Sequence, residues 1–94
     1  MRPASLGELT LLARVLTPVD PVQRMHIAQK ILAEVDVAAQ HLRQFGRVHP
    51  EFGDGSLMAR CLAFSPVAEP FTDDPAFLVA LIIACRTLRK HYKM

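Results

Sequence analysis

The chain has 94 residues, 51% of them hydrophobic, and a net charge of +2. That balance excludes a disordered tail, which lacks the apolar surface to offset chain entropy, and it sits poorly with a dedicated nucleic-acid binder, which carries a stronger basic excess. The two cysteines, Cys61 and Cys85, supply neither a disulfide framework nor the paired spacing of a zinc site.

Each cysteine falls inside an apolar run, as a small hydrophobe does. The reading is one cytoplasmic helical domain spanning residues 1–94. After the basic start Met1-Arg2-Pro3, Glu8 and Arg14 interrupt the apolar residues, so no secretory signal is read there. The longest apolar run, Ala76 to Cys85, covers about half of the ~20 residues needed to cross a bilayer, and no membrane span is expected.

Four helices are expected, over 5–16, 20–45, 56–64 and 74–92, in a compact all-α, bundle-like fold. Ser5 with Glu8 three residues on forms a capping box for the first. Leu6, Leu9, Ala13 and Leu16 then line one face, and Thr17-Pro18 ends it. Asp20-Pro21 reads as a cap followed by proline at the first helical position. The second helix then runs to Phe45, and Gly46 supplies a left-handed turn. Met25, Ala28, Leu32, Val35, Ala39 and Leu42 form its seam, broadened by Ile31, Ala38 and Phe45. Ser56 caps a short third helix, with Leu57, Cys61 and Phe64 inward and Met58 and Leu62 flanking. Pro66, Pro70, Asp73 and Asp74 make a stiff connector, and Asp74-Pro75 opens the last helix.

The first half of that helix is apolar on every side. Phe77, Leu78, Val79, Leu81, Ile82 and Ile83 cannot share one face, so some must be covered by something other than the chain's own three remaining helices. These six residues are the expected homodimer interface. The basic end, Arg86, Arg89, Lys90, His91 and Lys93, complements the helix dipole, with Asp73 and Asp74 at the opposite end. DNA binding through this tail is a further alternative, disfavoured because the long second helix fits a helix-turn-helix badly.

Chemistry concentrates between the second and third helices. Asp54-Gly55-Ser56 places amides and a hydroxyl at a helix N-terminus, a geometry that attracts anions, and Arg47, His49 and Arg60 supply nearby cations. Arg47, His49, Asp54, Gly55, Ser56 and Arg60 are the candidate ligand-binding residues. The plainer reading is structural: glycines for unusual backbone angles, Asp54 or Ser56 as a cap, Phe52 in the core. Gly53-Asp54-Gly55 matches neither the P-loop nor the dinucleotide pattern. His49, Glu51 and Asp54 have metal-ligand types without a zinc spacing, so no metal or other cofactor is expected. Ser56 lacks the glycine-flanked elbow of a hydrolase nucleophile, and solvated loop carboxylates keep ordinary acidities, so no catalytic residue is assigned.

The run from Arg47 through His49-Pro50 to Gly53-Asp54-Gly55-Ser56-Leu57-Met58, following a long helix, resembles a group of small uncharacterised bacterial helical proteins. The likeness covers roughly the middle third of the chain. No activity attaches to that group, so the resemblance implies no catalytic residue.

The sequence therefore reads as a non-catalytic interaction or adaptor module, a homodimer with a further protein partner. The alternative is a small-molecule or anion-binding protein, with weak enzymatic activity as its extreme, built on the 47–60 segment.

Overall fold

The computed structural model describes residues 2–92, and Lys93 of the basic tail lies outside them. The fold is all-α and bundle-like, with α1 at Leu6–Leu16, α2 at Arg24–Phe45, α3 at Leu57–Leu62 and α4 at Pro75–Tyr92. The capping box at α1 forms as the sequence dictates: Glu8 N–H donates to Ser5 Oγ at 3.1 Å and Ser5 N–H donates to Glu8 Oε1 at 3.1 Å. Gly46 ends α2 in the left-handed region at φ 67°, its N–H donating to the Leu42 carbonyl at 2.8 Å. Asp74 Oδ1 accepts from Ala76 N–H at 3.0 Å and satisfies the start of α4.

α2 begins later than Asp20. The Asp20 side chain accepts from Val22 N–H at 3.0 Å and its carbonyl accepts from Gln23 N–H at 2.8 Å, which closes a turn instead of capping a helix. The helix starts where Arg24 can act on α1. Arg24 is 5% exposed, and its guanidinium donates from Nε to the Leu16 carbonyl at 3.0 Å and from Nη2 to the Thr17 carbonyl at 2.8 Å. A buried cation thus caps the end of α1, sharing the Leu16 carbonyl with the Val19 N–H, which donates to it at 3.0 Å.

α3 also stops short of Phe64. Ala63 is its C-cap and Ser65 takes a φ of 54°, so Phe64 leaves the helical register and is half-exposed rather than inward. Leu57 and Cys61 do point inward. On α2 the seam buries Ala28, Leu32 and Val35 together with Ile31 and Ala38. Met25, Leu42 and Phe45, near its two ends, stay exposed because the helix outruns the core.

The core joins Leu12 and Leu16 of α1, Ile31, Leu32 and Val35 of α2, Leu57 and Cys61 of α3, and Phe77, Ala80, Ala84 and Leu88 of α4. Ala80 and Ala84, one turn apart and fully buried, let α4 approach its neighbours closely. At the far end of α4, Tyr92 Oη accepts from Ala4 N–H at 2.9 Å and donates to the Arg2 carbonyl at 3.3 Å. That contact sets the end of α4 beside the start of α1, so the two helices run antiparallel. Arg14 Nε donates to the Val67 carbonyl at 2.8 Å and pins the connector to α1.

Among the described residues no helix is long and apolar enough to cross a membrane.

Candidate functional site

The segment between α2 and α3 folds on itself. His49 and Gly53 form an antiparallel bridge, exchanging hydrogen bonds of 3.1 and 3.2 Å. His49 Nδ1 accepts from the Glu51 and Phe52 amides, each at 3.0 Å, and its ring stacks on Phe52 with centroids 4.6 Å apart. His41 of α2 meets the His49 ring edge-on at 5.0 Å. This histidine organises a turn, and its Nδ1 is occupied by the turn's own amides.

Gly55 shows why the chain needs glycine here. Its φ is +89°, and a β-carbon would lie 2.8 Å from Ala39 Cα and 2.9 Å from Ala39 Cβ, so the turn presses its backbone directly on α2. Ser56 N–H then donates to Asp54 Oδ1 at 2.9 Å, and Ser56 Oγ accepts from Ala59 N–H at 3.1 Å as the cap of α3. Hydrogen bonds from the Ser56 hydroxyl and amide hold the Asp54 carboxyl below its ordinary range.

The anion at the N-terminus of α3 belongs to the protein itself. Glu8, 2% exposed, reaches across from α1 and accepts the Met58 N–H on Oε2 at 2.9 Å, while Arg2 Nη2 stands 3.4 Å from the same oxygen. Burial opposes ionisation of Glu8, but the Ser5 and Met58 amides and the Arg2 charge outweigh it and hold the carboxyl below the usual glutamate value. One carboxylate therefore caps two helices.

Arg60 is equally committed. Its Nε donates to Glu34 Oε1 of α2 at 2.8 Å, and its guanidinium lies 4.9 Å from the centroid of the Phe52 ring and 4.5 Å from that of Phe64. Arg47 is exposed on the turn. The fold thus gathers His49, Asp54, Gly55, Ser56 and Arg60 into one region, but their polar atoms largely serve each other, α1 or α2.

Glu8 and Glu34 were not singled out from sequence as members of this network, nor Arg24 as the cap of α1. Only Glu8 gave a signal, its capping-box spacing, and that signal spoke for α1 alone. Among the described residues no group of three or more His, Cys, Asp or Glu is placed to hold a metal. Cys61 is buried; burial, then the Glu8 charge, push its thiol up to about 12 despite Arg60, so it is not a nucleophile at neutral pH.

A family model for a domain of unknown function, DUF7742, matches residues 2–88. The chain belongs to the DUF7742 family. Neither the curated proteins nor the solved structures include a significant match. The DUF7742 match takes in α1, α2, α3 and α4 as far as Leu88, and therefore the Glu8 network, the Arg24 cap and the turn at Gly55.

The residues expected at an interface divide. Phe77 is 6% exposed and belongs to the chain's own core, and Leu81 and Ile83 are half-buried against that core. Leu78, Val79 and Ile82 are 39%, 47% and 51% exposed. The helix is apolar all round in sequence, and α1 and α2 cover only one side of it. Cys85, Arg86 and Arg89 continue the exposed face toward the C-terminal end.

Proposed function

We propose that this chain is a non-catalytic protein-interaction module, a single cytoplasmic helical domain that works as a homodimer paired through the outward face of α4. The observation that supports this most is the exposed stripe Leu78, Val79 and Ile82, three aliphatics at helical spacing. Covering the exposed part of each contributes roughly 1 kcal/mol, and a two-fold axis doubles the number of side chains covered. Cys61 and Cys85, both free thiols, suit a reducing compartment.

The stripe is also self-complementary in charge. Asp73 and Asp74 precede it, while Arg86 and Arg89 end it. An antiparallel pair centred on Ile82 sets the acids of each copy against the bases of the other. A parallel pair would set Arg86 and Arg89 against their own copies, at a cost in repulsion. The antiparallel arrangement brings Leu78 beside the partner's Cys85.

Anion capture by the 47–60 segment has less support, because the carboxylate at the start of α3 is Glu8 and Arg60 is held by Glu34. DNA binding would use the same Arg86 and Arg89 that the pairing employs. Sedimentation velocity at micromolar concentration tests the proposal. A dimer that Ile82→Glu converts to a folded monomer supports it, and a wild-type monomer across that range overturns it.

A further inference from the structure

Between α2 and α4 lies a cleft of about 400 Å³, within the ~300–1,000 Å³ typical of small-molecule sites. It occupies a different side of α4 from the pairing stripe, with Arg86 at the border. Its floor is apolar, built from Leu32, 1% exposed, and the thioether of Met25. The Thr87 hydroxyl donates to the Ile83 carbonyl at 2.7 Å and lies 3.3 Å from Met25 Sδ, so its proton is already engaged.

The rim is cationic. Arg86 and Lys90 stand one turn apart on α4, facing Gln29 of α2. No carboxylate among the described residues lines the cleft; His91, which also lines it, has its Nε2 3.1 Å from Asp36 Oδ2. Among the described residues neither Arg86 nor Lys90 forms an ion pair.

Two cations beside an apolar floor suit an anion with an apolar body. We propose that this cleft binds a free medium-chain carboxylate, its head group held by Arg86 and Lys90 and its chain laid over Met25 and Leu32. Inorganic phosphate leaves the floor unused, an alcohol leaves the cations without a counter-charge, and a two-chain phospholipid is too large. Lys90 and the floor lie outside the pairing stripe, and Arg86 borders both.

The test is an amide-resolved NMR titration of the full chain with decanoate, decanol and inorganic phosphate. Decanoate is expected to shift the amides of Gln29, Thr87 and Lys90 saturably, with decanol roughly tenfold weaker and phosphate without effect, as loss of a charge-assisted contact implies. The double variant Arg86→Gln/Lys90→Gln should weaken decanoate about tenfold at unchanged helicity. Gln29→Trp, at an exposed helical position, should fill the cleft and abolish binding. The proposal is overturned if decanol binds as well as decanoate, if either variant binds decanoate like the wild type, or if no saturable shift occurs in the millimolar range. It is also overturned if phosphatidylglycerol vesicles capture the protein through the same two cations, which would assign them to a membrane surface.

Discussion

Glu8 Oε2 accepts the Met58 amide at 2.9 Å across 50 positions of sequence, tying the first turn of α1 to the first turn of α3. The same carboxylate accepts the Ser5 amide through its other oxygen. The bundle is thus closed around a buried, ionised side chain whose counter-charges are mostly backbone dipoles.

Glu8→Ala should therefore cost more than an ordinary cap. It removes one acceptor from Ser5 and leaves the Met58 N–H without its partner, for a loss of about 2–4 kcal/mol in urea unfolding. Glu8→Gln, which keeps one acceptor oxygen, should lose less.

The pH dependence follows from the same group. The Glu8 carboxyl is held below its ordinary value, about 4.3, so its contribution is present above that pH and fades as pH falls through the lower, folded value. The wild type should lose stability on acidification below about pH 4. The Glu8→Gln variant should show a flatter acid limb, measured as the midpoint of thermal unfolding against pH.

The turn at Gly55 is a steric claim. Gly55→Ala places a methyl against the backbone of α2 at a φ of +89° and should destabilise by about 2–4 kcal/mol. Ala39→Gly should restore little, because Ala39 Cα and N are among the atoms struck. Gly46→Ala, with φ 67° and nothing within 4 Å, should cost only about 1 kcal/mol. Chemical denaturation of the three variants checks the ordering.

Much of this architecture was legible because it is local. Ser5 and Glu8, Gly46, Ser56 and Asp74-Pro75 mark helix ends through bonds spanning a few residues, and each does so in the structure. Asp20-Pro21 carries the same signature and fails, because Arg24 reaches back to cap α1 and a turn intervenes. The pairs that close the candidate site, Glu8 with Met58 and Glu34 with Arg60, join residues 50 and 26 positions apart. No periodicity reports such a pairing. Nor does composition tell Phe77 from Leu78 when a helix is apolar on all sides; only the packing of α1 and α2 decides which turns inward.

The thiols should separate cleanly. In the folded chain Cys85, exposed, should react rapidly with a disulfide reagent, while Cys61, buried and raised to about 12, should react only on unfolding. Cys85 labelling should also slow at protein concentrations that favour the proposed dimer. Thiol release followed in the presence and absence of denaturant, across a dilution series, reads both effects.

The pairing of α4 is tested most directly by cross-linking Leu78→Cys under mild oxidation, beside the wild type and Leu78→Cys/Cys85→Ser. Antiparallel pairing predicts a disulfide-linked dimer for Leu78→Cys and none for the double variant, in which the two introduced thiols lie far apart. A dimer in sedimentation with no cross-link in Leu78→Cys would refute the arrangement alone. Cross-linking of the double variant, or a chain that sediments only as a monomer, would contradict the account.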